Sequence, residues 1–168
     1  MDNSTFLEYL KIGGDFENAV LPLLFEYFSK IDEEVAILPL ANSKDNPEQG
    51  RGQVWINANG TTHAVPDFIV RCHDYLFLID AKSKNFWFED RFGYIDQHKV
   101  KDDYIPSLKK FKADAVLYVF GNRKTGEVYL TKTRGESLHI SSMANAKNQG
   151  KFLGWDINDQ IFIGKADW

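Results

Sequence analysis

Two aspartates and a lysine in the middle of the chain have the spacing with the most chemical content. Asp67 follows Pro66, and Asp80-Ala81-Lys82 comes thirteen residues later. Between them the apolar stretches PDFIVR and YLFLIDAK flank Cys72-His73-Asp74, a turn between two strands. With a two-residue loop at His73-Asp74, Cys72 faces Tyr75 and Asp67 stands opposite Asp80. Two carboxylates about 5 Å apart repel, an arrangement sheets normally avoid. A divalent cation between them reverses the sign of the interaction. Alternation along the strand puts Lys82 on the face of Asp80, expected to be open, and turns Phe77, Ile79 and Ala81 into the core. A three-residue turn would shift this register by one. The plain alternative is a hairpin that carries its charges on a solvent face.

A further carboxylate comes from upstream. After Gly13-Gly14, the segment 15–30 spaces Phe16, Val20, Leu21, Leu24, Phe25 and Phe28 at helical intervals, and Glu17 falls on the stripe centred by Val20, Leu24, Tyr27, Phe28 and Ile31 while Asp15 and Glu26 fall opposite. A carboxylate on a buried helix face needs a partner. Pro22 predicts a kink or a late start. A strand at 35–40 and a polar surface loop at 41–52 follow. Asn59-Gly60 is a hairpin signal, and with the turn at 72–74 it predicts a three-stranded meander over 53–58, 61–71 and 75–82. On that meander His63 and Arg71 alternate onto the face of Asp67, more simply as strand surface than as phosphate contacts. Helical spacing returns over 96–111, interrupted by Pro106. The apolar run 115–120 reads as a strand buried on both faces, and 127–133 as another. The tail 151–168 has two short apolar runs without an evident role.

Glu17 on the first helix, Pro66-Asp67, and Asp80-Ala81-Lys82 closing an apolar strand together resemble the PD-(D/E)xK nuclease superfamily, which includes restriction endonucleases and Holliday-junction resolvases. The resemblance covers roughly residues 13–121. It implies an α/β fold with an α-β-β-β-α-β core and a central mixed sheet flanked by helices. It implies that Asp67 and Asp80 bind Mg²⁺ or Mn²⁺, with the Ala81 carbonyl as a further ligand. Lys82 would orient or help deprotonate the attacking water, and Glu17 would reach the metal through a water or hold a second ion. Hard oxygen donors suit such ions. The sequence departs from the pattern in places: Asp80 stands where many relatives carry Glu, and Asn18 follows Glu17 where resolvases often carry Arg. Relatives of the RecB nuclease domain carry Gln-x-x-x-Tyr, whereas here Gln97 and Tyr104 are seven apart.

Charge distribution points the same way. The chain has a net charge of −4, yet residues 82–134 hold 12 basic and 7 acidic side chains while residues 1–81 hold 5 basic and 13 acidic. The basic stretch begins at Lys82, and Lys99, Lys101, Arg123 and Lys124 are its candidates for contact with a nucleic-acid backbone. The expected activity is metal-dependent hydrolysis of DNA phosphodiesters. A non-catalytic nucleic-acid- or protein-binding module and an RNA-directed nuclease stay open beside it. Nucleases of this size usually act as homodimers, so a homodimer or higher homo-oligomer is expected by analogy. The 168 residues read as one domain, with a core at about 13–133 and a C-terminal extension at 134–168. One cysteine, Cys72, fits a reducing cytoplasm, and no apolar run is long enough to span a membrane. No Cys-x-x-Cys, P-loop, His-Glu-x-x-His or Gly-x-Ser-x-Gly motif occurs, which removes zinc modules, P-loop NTPases, zincins and α/β-hydrolases.

Overall fold

A computed structural model describes residues 3–40, 55–58, 60–85, 92–132, 138–140 and 151–168. Helix α1 (Asn3–Ser29) begins well before the expected segment and passes through both Gly13-Gly14 and Pro22. Pro22 lies on the exposed side of the helix, away from the buried stripe. Phe16, Val20, Leu24 and Phe28 form the buried stripe, and their packing outweighs the poor propensity of the glycines.

The central sheet runs in the order β1 (Ala36–Pro39), β4 (Phe68–Cys72), β5 (Tyr75–Lys84), β7 (Ala115–Asn122), β8 (Glu127–Thr131), β11 (Gln160–Lys165). Only β5 and β7 run parallel; the other neighbours are antiparallel. The crossover between the parallel pair holds β6 (Phe92–Asp96), α2 (Gln97–Lys99), a π-helical turn (Val100–Tyr104) and α3 (Ile105–Phe111). Alternation along β7 feeds two cores. Leu117 and Val119 join the α1 side, while Tyr118 and Phe120 join Tyr104, Ile95 and Trp155 on the other. This mixed α/β architecture, with its central mixed sheet of six strands, is the fold class expected from the sequence.

The expected meander is corrected. β2 (Trp55–Ala58) and β3 (Thr61–Ala64) form a separate two-stranded hairpin, and β4 pairs with β5 and β1. Strand 61–71 breaks at Val65-Pro66-Asp67 because Pro66 has no ladder donor and the backbone of Ala64 is claimed elsewhere. The Ala64 amide donates to Asp103 Oδ1 at 3.1 Å, and its carbonyl accepts from Ser107 Oγ at 3.1 Å. The tail also has a place: β11 completes the large sheet, while β10 (Phe152–Asp156) lies between β6 and β9 (Leu138–Ile140) in a three-stranded sheet. Among the described residues no helix is long and apolar enough to cross a membrane. The expected loop at 41–52 lies outside the described residues.

Candidate functional site

The β4–β5 hairpin has the two-residue turn expected at His73-Asp74, with Cys72 facing Tyr75 and the register running back to Phe68 opposite Ile79. The left-handed His73 (φ 51°) supplies part of the twist this turn needs. Asp67 comes one residue before the paired strand. Its backbone carbonyl accepts from Leu40 at 2.8 Å, and its carboxylate accepts the Ala81 amide proton at 2.7 Å. Asp67 is thereby tied to the strand of Asp80 through Ala81. Burial and the charge of Asp80 push the Asp67 carboxyl up.

Asp80 is only 1% exposed, so the face it shares with Lys82 is not the open one expected. The crossover segment covers it. The Tyr104 hydroxyl donates to Asp80 Oδ1, and the Lys99 ammonium lies 3.9 Å from the same oxygen. Lys82 Nζ lies 2.7 Å from Oδ2, a charge contact outside hydrogen-bond alignment, and donates to the Ala81 carbonyl at 3.1 Å. Burial pushes the Asp80 carboxyl up, but the charges of Lys82 and Lys99 and the Tyr104 hydroxyl hold it below the ordinary carboxylate value. Burial would neutralise Lys82, yet the carboxylates of Asp80, Asp67 and Glu17 raise it and keep it cationic. Burial and the Asp80 charge push the Tyr104 hydroxyl far up, so it stays a donor.

Glu17 is buried, as its place on the α1 stripe requires. It borders a cleft of about 400 Å³ with Ala81, Lys82, Lys84, Lys99 and Arg123. Of the basic candidates, Lys99 and Arg123 line this cleft, while Lys101 and Lys124 are exposed and do not. His63 and Arg71 turn to other tasks. Pro106 cannot donate to the Asp102 carbonyl one turn back, and His63 Nδ1 supplies that hydrogen bond instead. Arg71 Nε donates to the His73 carbonyl at 3.1 Å.

Three positioning groups went unread in the sequence. Asp103 and Ser107 anchor Ala64 just ahead of Pro66-Asp67, and Tyr104 holds Asp80. Trp168 is a fourth: its Nε1 donates to Ser83 Oγ at 2.7 Å, between Lys82 and Lys84, and its ring packs on Phe16 at 4.7 Å. Gly121 lies beside Ser83, and a Cβ there would fall 2.3 Å from the Phe16 ring and 2.8 Å from Trp168.

A hard divalent cation fits the donor set on one count. Asp80 Oδ2 and the Ala81 carbonyl already converge on one cation, the Lys82 ammonium, at 2.7 and 3.1 Å, and hard oxygens so placed suit such an ion. Among the described residues no group of three or more His, Cys, Asp or Glu side chains converges, so any such ion rests on two carboxylates, a carbonyl and solvent.

No protein-family model matches the sequence, and no curated protein matches it. Among solved structures the fold is similar to that of Hjc, a Holliday junction resolvase from the archaeal hyperthermophile Archaeoglobus fulgidus. The match covers 90% of this chain and 91% of that one, with a TM-score of 0.51 and 12% identity. At that identity the two proteins share a fold.

Proposed function

We propose that this protein is a PD-(D/E)xK-type nuclease that hydrolyses DNA phosphodiesters with Mg²⁺ or Mn²⁺. The observation that carries the reading is the Asp67–Asp80–Lys82 set, gathered at one hairpin with Lys82 bordering a cationic cleft, in a fold shared with a resolvase. In this reading Asp67, Asp80 and the Ala81 carbonyl hold the ion. The ion, when bound, supplies Lewis-acid stabilisation of the displacement and an acidified water. Lys82 would steady charge on the transferring phosphate. Lys82 and Lys99, with the Tyr104 hydroxyl that aims it, favour the charged form of Asp80, and Asp80 and Asp67, joined by Glu17, favour the charged form of Lys82. DNA lies along Lys99 and Arg123, and a homodimer would bring a second site to the opposite strand.

One observation favours a second reading, a nucleic-acid-binding module without catalysis: both oxygens of Asp80 already face protein groups, Tyr104 on one side and Lys82 on the other. Incubation with branched, single-stranded and duplex DNA and with RNA, with and without Mg²⁺, separates the two. Mg²⁺-dependent cleavage abolished by Asp80→Asn supports the nuclease. Binding to DNA without cleavage under every condition means the module.

A further inference from the structure

Strand β5 carries a second lysine on the face of the first, because Lys84 follows Lys82 by two residues. Its ammonium lies 4.1 Å from the centre of the Tyr94 ring. Among the described residues, the 400 Å³ cleft is bordered by Lys82, Lys84, Lys99 and Arg123, with Glu17 as the one carboxylate; Asp67 and Asp80 do not border it. It opens where β5 and β7 end side by side, and the Arg123 amide closes that end by donating to the Lys84 carbonyl at 3.0 Å. The carboxyl ends of parallel strands are where ligands collect in such sheets.

Among the described residues these four cations outnumber Asp67, Asp80 and Glu17. Lys82 is engaged with Asp80 at 2.7 Å, and Lys99 touches Asp80 only distantly, at 3.9 Å. Among the described residues Lys84 has no carboxylate within ion-pair distance, and burial and the charge of Lys82 push it down to about 8. Cations gathered in a half-buried space repel one another and lower the stability of the free protein; an anion entering that space reverses the effect. We propose that Lys84, Lys99 and Arg123 form a second phosphate subsite, which takes the phosphate next to the one attacked beside Asp80 and Lys82. This rests on the nuclease reading for the identity of the attacked phosphate. Two strand residues separate the lysines by about 6.6 Å, the scale of one nucleotide step along an extended strand. Arg123 supplies a planar fork for two phosphate oxygens, and the lysines supply point charges. Occupying the subsite sets the register of the strand, and therefore which bond lies over the acidic pair. The phosphate is either an internal diester or a terminal monoester.

The first test needs no catalysis. Inorganic phosphate is titrated calorimetrically into the parent, Lys84→Met and Lys84→Arg proteins, with a chelator present. Lys84→Met, which keeps the apolar stem, is expected to bind at least about tenfold more weakly, and Lys84→Arg within a few-fold of the parent. Equal affinity of parent and Lys84→Met, or no phosphate binding by the parent, overturns the subsite. The second test scans oligonucleotides that carry one uncharged methylphosphonate linkage. Cleavage by the parent should slow about tenfold when the linkage adjoins the cut, and Lys84→Met should show no further loss there. Dependence on a 5′- or 3′-terminal phosphate instead identifies a free end as the source. Phosphate binding that requires Lys84, with no cleavage of any substrate, refutes the nuclease reading and leaves the subsite standing. Cleavage indifferent to the neighbouring charge, with no loss of phosphate binding in Lys84→Met, does the reverse.

Discussion

Replacing Lys82 with methionine isolates what holds the acidic pair together. Asp80 is 1% exposed and the Lys82 side chain 22%, so their 2.7 Å contact is shielded from water. At an effective dielectric of about 20 the direct attraction at that separation is about 6 kcal/mol, a gross figure. Part is returned because methionine has no charge to desolvate. Removing one partner of a buried pair costs about 3–5 kcal/mol net, because the other charge stays behind. Lys99 and the Tyr104 hydroxyl still face Asp80, which places the expected loss at the lower end, about 3 kcal/mol. For a domain of this size that is a fall in Tm of about 6–12 °C. Urea and thermal melts in chelator-containing buffer measure it, with Asp80→Asn/Lys82→Met beside the single variant. The double variant should recover most of the loss, since no uncompensated charge remains. A single variant as stable as the parent, or a double variant as unstable as the single, would refute the claim that this pair is a buried, mutually dependent unit.

Three further outcomes follow from the same geometry. Ser107→Ala leaves the Ala64 carbonyl without its side-chain donor and should cost about 1–2 kcal/mol in a denaturant melt; no loss would mean that the helix does not anchor the approach to Asp67. Lys84 is held down to about 8 from an ordinary value of 10.5, so the unfolded chain binds the extra proton between those values. Stability should therefore rise from pH 8 to 10.5 and gain nothing from this group below 8, and a pH series of melts on Lys84→Met should lack that rise. Glu17→Gln should reduce Mg²⁺-dependent cleavage less than Asp80→Asn does, because Glu17 acts through Lys82 and the cleft; equal losses in folded proteins would place Glu17 among the direct metal ligands.

The parts of the site legible in the sequence are those governed by short periods. A two-residue turn and the alternation of a strand are local, so the register at Cys72–Tyr75 carried through to Phe68–Ile79 and put Asp67 beside the strand of Asp80. Helical spacing placed Glu17 on the buried side of α1 for the same reason. Local rules misled where a distant group competes for the backbone. Nothing between Thr61 and Arg71 announces that Asp103 and Ser107, some forty residues on, take both polar groups of Ala64 and end the strand there. The tail hid its role likewise, because β11 and Trp168 gain meaning only from partners at 127–131 and at Ser83.

The crossover helix shows the same limit in its sharpest form. Five residues apart on an α-helix, Lys99 and Tyr104 would stand about 140° round the axis from each other. The π-helical turn over Val100–Tyr104 adds a residue to the turn, and Ile105 donates to the Val100 carbonyl five residues back. Both side chains then reach Asp80 Oδ1, and the Lys99 ammonium lies 5.4 Å from the Tyr104 ring centre. A search for Gln-x-x-x-Tyr at regular helical spacing has no means of finding such a pair. Part of the irregularity is stabilised by contacts from outside: Pro106 withholds a donor from the Asp102 carbonyl, His63 supplies one, and Asp103 is held by the Ala64 amide. The hairpin β2–β3 thus supports the turn that brings Lys99 and Tyr104 to the acidic pair, and the same helix supports the break that frees Asp67 from its strand. Each half of the arrangement depends on the other, which is why a strand pattern and a helix pattern read separately put Asp67 beside Asp80 and Lys82, and Lys99 and Arg123 in one basic stretch, without showing that Tyr104 holds Asp80.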